Sequence, residues 1–274
     1  MSLSAPEFQF LRTMVYRDSA IVLGEDHSYL LEARLAAVAQ SQGIADVSAL
    51  ARRLQRDNDP TLRRKVVETM TTNETSFFRD LGPFELLRTK VFPDLLQRRA
   101  SERSLRIWSA ASSTGQEACS LGMTLLEHHR SATAGWDLRI LGTDLSTTIV
   151  EKARSGTYTQ PEMNRGLPAP LLMRYFARSG AAWQTLPVLR DMLDFQQMNL
   201  AAPWRALPKF DLIFLRNVLI YFDEETRRAI LTRVRSVLRK DGYLFLGGAD
   251  TIRDPDSGFE CVRSGTTHYF QLKA

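Results

Sequence analysis

Only two cysteines occur in 274 residues, and Cys119 and Cys261 stand far apart with no CxxC partner. The sequence therefore offers neither a disulfide framework nor a structural zinc site, and a reducing cytosol is the compartment it implies. No apolar run reaches the roughly 18 residues that a membrane-spanning helix needs, and residues 1–7 show no basic start leading into an apolar stretch. Export and membrane insertion are not expected. Internal repeats and low-complexity segments are also absent. The glycine-rich GxGxxG turn of dinucleotide enzymes is missing as well. Where the first predicted strand runs into a helix, Ser109-Ala110-Ala111-Ser112-Ser113-Thr114-Gly115-Gln116-Glu117 holds a single glycine, which disfavours a nicotinamide or flavin enzyme. His128 and His129 adjoin each other without ligand spacing, so no metal site is expected.

What is present is a chain that is 44% hydrophobic, enough to bury a sizeable core in one or two domains. Its net charge of +5 favours acidic partners, whether nucleic acid, anionic lipid or an acidic protein, and charge alone does not choose among them. Residues 5–70 read as helical. Leu30, Leu31, Leu35 and Val38 recur at helical spacing, with Asp26 or Ser28 as start signal and Gly43 as stop; further helices are predicted over 47–56 and 61–70. Arg52, Arg53 and Arg56, with Arg63, Arg64 and Lys65, form basic clusters that suit either a solvated face or a docking surface for an acidic helix.

After Pro83 the pattern changes to alternating strands and helices: 105–111, 117–129, 138–144 and 147–154, then 210–215, a helix over 224–238 capped by Asp223, and a strand over 242–246. That rhythm predicts an α/β domain with a doubly wound parallel sheet. Between the halves, residues 158–197 interrupt it with Pro161, Gly166, Pro168, Pro170 and Gly180, plus candidate strands over 183–189 and 192–196. This reads as a small inserted β element.

Chemistry concentrates at the predicted strand ends. Asp144, closing Gly142-Thr143-Asp144, is placed to accept hydrogen bonds from ribose hydroxyls, or alternatively to cap the following helix. Arg216 and Asn217 follow the apolar strand 211–215; Arg216 could serve a ligand or brace the loops by pairing with Asp144 or Glu117. Cys119, with no histidine nearby, reads as a buried structural thiol.

Five segments in order, TTNETSFFRD (71–80), WSAASSTGQE (108–117), GTDLS (142–146), Asn199-Leu200 and RNVLIYFD (216–223), resemble the CheR-type chemotaxis receptor methyltransferases over nearly the whole chain. The resemblance implies a Rossmann-like class I methyltransferase domain over 83–274 with an inserted β subdomain at about 158–197. An all-helical receptor-docking domain would occupy 1–82. It implies S-adenosylmethionine as cofactor and S-adenosylhomocysteine as product. Cofactor contacts would come from Asn73, Thr75, Arg79, Glu117, Asp144, Asn199, Leu200, Arg216 and Asn217, with Arg79 and Tyr221 nearest the reacting methyl. One departure is local: the family usually continues after the glycine with an acid, Glu, Pro and Tyr, where this chain has Gln116, Glu117, Ala118 and Cys119.

Substrates implied by the resemblance are glutamates on the cytoplasmic signalling helices of chemotaxis receptors, modified by a cytoplasmic enzyme recruited to membrane receptor arrays. In some members the inserted subdomain also captures a receptor C-terminal peptide. The compact 176–195 loop, with Gly180 as its one glycine, weighs equally for recognition without such a tether. A nucleic-acid substrate is not expected, because Arg216-Asn217-Val218-Leu219 lacks the paired prolines of amine-methylating enzymes and the basic faces lack interleaved aromatics.

Overall fold

The structure is a computed structural model that describes residues 3–24, 28–252 and 257–273. Among the described residues, four helices form the N-terminal part. Helix α1 (Ala5–Ser19) starts on a reciprocal capping box between Ser4 and Glu7. Helix α2 (Ser28–Ser41) buries Leu31, Leu35 and Val38, as their spacing predicts, and Gly43 follows it in the left-handed region. Of the two start signals read from the sequence, Asp26 lies outside the described residues. Helices α3 (Val47–Arg56) and α4 (Pro60–Thr69) are capped by Asp46 and Asp59, whose carboxylates accept from backbone N–H groups of the first turn. Leu11, Leu31, Leu35 and Leu50 are fully buried, each contributing about 1.5–3 kcal/mol of hydrophobic stabilisation.

Helix α5 (Leu81–Leu86) passes through a π-helical turn (Leu87–Val91) into α6 (Phe92–Arg98) and then the α/β unit. Its first elements are β1 (Ser104–Ala110), α7 (Gln116–His129), β2 (Asp137–Asp144) and α8 (Thr147–Ser155). The interrupting segment supplies β3 (Thr157–Thr159), α9 (Gln160–Met163), α10 (Ala169–Tyr175), β4 (Phe176–Ser179), β5 (Ala182–Thr185) and α11 (Pro187–Arg190). The chain continues with β6 (Leu193–Gln197), β7 (Phe210–Leu215), α12 (Glu224–Val237), β8 (Leu238–Leu246), β9 (Phe259–Ser264) and β10 (Thr267–Leu272). The main sheet runs β6-β2-β1-β7-β8-β10-β9, and a small sheet runs β3-β5-β4. Strand β10 is antiparallel to both of its neighbours; the pairings from β6 through β8 are parallel.

Three details differ from the sequence expectation, and the first is that the strand expected over 242–246 begins already at Leu238, directly after α12. The strand expected over 183–189 stops at Thr185, because Pro187 cannot donate to a ladder and opens α11 instead. The strand expected over 192–196 does not join the inserted element. It is β6, which pairs with β2 at the edge of the main sheet, and its buried Phe195 packs where only glycine fits: a Cβ on Gly142 would lie 2.4 Å from that ring.

The core lies on both faces of the sheet. One continuous cluster joins the N-terminal helices to Trp108, Phe210, Ile213 and α12, while α5–α7 and the inserted segment cover the other face. Trp108 stacks on Phe210 at 5.4 Å, and its indole N–H donates to Thr143 Oγ1 at 2.9 Å, so a buried polar tip is satisfied. Asp223 caps α12 by accepting from the Thr226 N–H at 2.8 Å, and it also accepts from the Tyr16 hydroxyl at 2.6 Å. Since one side chain fastens both a helix start and α1, Asp223→Ala is expected to cost about 1–2 kcal/mol, read as a lower urea midpoint at unchanged slope. Among the described residues no helix is long and apolar enough to cross a membrane.

Candidate active site

Strands β1, β2 and β7 lie side by side with their carboxyl ends at one edge, where open α/β sheets bind ligands. The loop leaving β1 takes an unusual path. Ala111 (φ 56°) and Ser113 (φ 50°) occupy the left-handed region without being glycine, and Gly115 follows at φ 94°. Such backbone costs of order 1 kcal/mol per residue and persists only where the surroundings enforce it. Here the Ser112 N–H donates to the Thr143 carbonyl at 2.8 Å, the Ser113 N–H donates to Asp144 at 3.0 Å, and the Ser113 hydroxyl donates to the Asn73 carbonyl at 2.8 Å. The loop is thus locked to β2 on one side and to the interdomain segment on the other.

Over this edge lies a cavity of about 910 Å³ including its open mouth. All ten residues singled out from the sequence line it. Asn73, Thr75 and Arg79 come from the interdomain segment, Glu117 from the start of α7 and Asp144 from the end of β2. Asn199 and Leu200 follow β6, and Arg216, Asn217 and Tyr221 follow β7. Ser19, the last residue of α1, and Ile21, two positions on, also line it and had no local signal in the sequence. They arrive through a backbone bridge between Ile21 and Phe222 and a hydrogen bond from the Val22 N–H to the Tyr221 carbonyl. Leu145 and Met198 line it as direct neighbours of Asp144 and Asn199.

Asp144 is buried, and its two oxygens accept from the backbone of Ser113 and Ser146. Burial pushes its carboxyl above the ordinary aspartate value, against the opposing pull of those N–H donors, with nearby Glu68 adding to the rise. It does not cap α8, as one reading of the sequence allowed: the cap is Ser146, whose hydroxyl accepts from Ile149. Arg216 is almost wholly buried and pairs with Glu117 at 3.0 Å and Asp80 at 2.6 Å, while donating to the Arg79 carbonyl at 3.0 Å. The bracing role considered for it is therefore realised with Glu117, not Asp144, alongside its place on the cavity wall. Arg79 itself donates to the Glu74 carbonyl at 3.2 Å and forms no ion pair among the described residues, which leaves its charge available to the cavity. Asn199 spends its amide inside the chain, donating to the Asp18 carbonyl and accepting from Ala201, both at 2.9 Å. Cys119 is buried beside the Tyr158 hydroxyl, and burial pushes its thiol up to about 12, so it carries no thiolate for catalysis.

The donor set suits one kind of ligand. A buried acid at the second strand end, an uncommitted guanidinium and a buried Ser112 hydroxyl with no hydrogen-bond partner among the described residues match a molecule bearing ribose hydroxyls and an amino-acid head. Sheet order and cavity together define an open α/β domain with a ligand site at the carboxyl ends of its strands, and the match of residues 73–268 to an S-adenosylmethionine-binding domain makes it a class I methyltransferase.

Comparison with known proteins fixes the family. Residues 6–71 match the all-α domain of CheR methyltransferases, and residues 73–268 match their S-adenosylmethionine-binding domain. Chemotaxis protein methyltransferase 1 of Pseudomonas aeruginosa is 39% identical over 278 residues, with 100% of each chain covered. Chemotaxis protein methyltransferase Cher2 of Pseudomonas putida is 37% identical over 276 residues, again covering 100% of both. The chemotaxis protein methyltransferase of Escherichia coli is 34% identical across 91% of this chain and 86% of its own length. The chain belongs to the CheR methyltransferase family, and its cofactor is S-adenosylmethionine.

Proposed function

We propose that the cavity holds S-adenosylmethionine, with Asp144 on the ribose and the segment around Asn73 closing over it. The acceptors are glutamate side chains on the cytoplasmic signalling helices of chemotaxis receptors. The observation that carries this reading is the convergence of all ten motif residues, drawn from five separate segments, on one cavity. Glu117, Arg216, Asn217, Asn199, Leu200, Asn73 and Thr75 form the remaining wall, and Arg79 and Tyr221 stand at the end where the acceptor enters.

The bound cofactor would supply a methyl group activated as a sulfonium. Everything else falls to the chain. A glutamate with a pKa of about 4.3 is ionised near neutrality, so no side chain has to remove a proton. The residues' work is positioning and partial desolvation, holding oxygen and carbon near contact with aligned orbitals. Arg79 orients the acceptor or the cofactor carboxylate by charge-assisted hydrogen bonds, and Tyr221 completes the wall. Binding the acceptor too tightly would reduce its nucleophilicity, which favours a guanidinium that guides without burying the charge. Arg79→Ala is expected to lower kcat about 10- to 30-fold at saturating cofactor; near-normal turnover in a steady-state assay would remove Arg79 from this role.

Residues 1–82 act as the receptor-docking unit and 83–274 as the methyltransferase unit, in a cytoplasmic protein recruited to receptor arrays. Of the six basic residues in the helical clusters, Arg52, Arg53, Arg56, Arg63 and Arg64 each have a carboxylate of the same chain within 4 Å. Exposed pairs of this kind contribute little and open readily to a competing acidic surface. Arg63 is the exception, because its half-buried pair with Asp18 fastens α4 to α1. The inserted sheet has a free edge at β4, available to an added strand, but nothing about its short strands favours a receptor peptide over recognition without one.

The test is incubation with methyl-tritiated S-adenosylmethionine and receptor signalling domains, followed by alkali. Label released as methanol supports a glutamate methyl ester. Alkali-stable label, or none on any receptor domain, refutes it.

A further inference from the structure

The end of β8 meets the loop that carries Asn217 and Tyr221, and one buried carboxylate joins them. Asp250 is 2% exposed. Its Oδ2 accepts from the backbone N–H groups of Asn217 at 2.5 Å and Gly247 at 3.1 Å, and its Oδ1 accepts from the Ile220 N–H at 3.2 Å. Its own N–H donates to the Gly247 carbonyl at 2.9 Å, which folds residues 247–250 into a tight turn. Among the described residues the groups that stabilise its ionised form are backbone donors, working against burial, which pushes the carboxyl above the ordinary aspartate value.

Those donors belong to a segment that needs holding. Asn217 sits at φ 57°, left-handed without being glycine, and a short 3-10 turn over Leu219–Tyr221 follows it. The approach is close enough that a Cβ on Gly247 would lie 2.6 Å from the Asn217 nitrogen and 2.7 Å from Asp250 Oδ2. Asn217, Val218 and Tyr221 line the cavity, whereas Asp250 and Gly247 stand behind them. Charge-assisted bonds from three amides to one carboxylate, in a site closed to water, are strong and directional.

We propose that Asp250 is a positioning residue for methyl transfer: its carboxylate clamps the backbone of residues 217–220 and so sets Asn217 and Tyr221 on the cavity wall. The inference rests on the proposed function, in which Tyr221 stands at the transfer end. An isosteric amide would present an N–H to at least one of the three donors, so the clamp fails without a change in side-chain volume.

The experiment compares Asp250→Asn, Tyr221→Phe and the double variant with the full-length wild-type chain, using a receptor signalling domain as acceptor. Asp250→Asn is expected to lower kcat about tenfold or more while the KM for cofactor stays within about threefold. Backbone amide exchange should accelerate within 216–222 and not in the helical domain. Because both substitutions act on one group, the double variant should lose less than the product of the single losses. Wild-type kcat, unaltered exchange over 216–222, or fully multiplicative losses would overturn the inference. If Tyr221→Phe alone turns over normally, the placement of Tyr221 falls; if it is slow while Asp250→Asn is not, the role of Asp250 falls. Should Asp250→Asn not fold, Gly247→Ala presses on the same contact without altering charge, and the same kcat loss and local exchange are expected; wild-type values in both would again overturn it.

Discussion

Arg216→Ala is expected to destabilise the chain by about 2–4 kcal/mol, less than for a fully buried pair because the Asp80 carboxylate is more than half exposed, and to abolish methyl transfer. The guanidinium is buried and spans three partners, Glu117, Asp80 and the Arg79 carbonyl. Removing one member of a buried pair strands the other charge, and that cost dominates over the loss of the contact itself. Among the described residues Glu117 would keep only the hydrogen bond from the Ser109 hydroxyl at 2.7 Å. The interdomain segment would also come loose, since Asp80 holds a left-handed conformation at φ 59° beside Phe78 at φ 48° and has Arg216 as its ion-pair partner. Guanidinium unfolding at constant slope measures the stability loss. A change below about 1 kcal/mol, with activity retained, would show that the pair is dispensable.

Asp144→Asn is expected to weaken cofactor binding about 100-fold, roughly 2.7 kcal/mol, the scale of two hydrogen bonds to a charged group. Its elevated carboxyl gives the prediction a pH signature. Binding needs the ionised form, so affinity in the wild type should fall as pH drops through that raised value, above the ordinary 3.8 of aspartate. Stability of the free protein should run the opposite way. A carboxyl whose folded value lies above its unfolded one contributes stability that is fully present below the unfolded value and is lost as pH rises through the folded value. Asp144→Asn should remove this carboxyl's share of each slope and leave the share of the other shifted carboxyls, such as the raised Asp250 and the lowered Asp241. Calorimetric titration and thermal unfolding across pH 3–7 would read them, and equal slopes in the two proteins would contradict the assignment.

The site was legible in the sequence where its residues are neighbours along the chain. TTNETSFFRD, GTDLS and RNVLIYFD each bring several lining groups within ten residues, and the strand-helix rhythm placed them at strand ends. What escaped is non-local. Ser19 and Ile21 reach the cavity only because a bridge to Phe222 draws the end of α1 onto the sheet edge. Asp250 contacts Asn217 across 33 positions, and nothing in its own neighbourhood marks it. Strand β6 was found but misplaced, since its pairing depends on Phe195 fitting against Gly142 and Gly115, a complementarity that periodicity does not encode. The basic clusters keep both of their readings: Arg53, Arg56 and Arg64 pair with acids one to four positions along the chain, Asp57 and Glu68, whereas Glu7 and Asp18 reach Arg52 and Arg63 only through the fold.

Calorimetric titration of the folded wild-type chain with S-adenosylhomocysteine, repeated in the presence of S-adenosylmethionine, tests the cavity assignment most directly. One site per chain, displaced by the second compound and weakened about 100-fold by Asp144→Asn, is the expected result. Absence of heat with either compound, or binding that ignores the substitution, would contradict it.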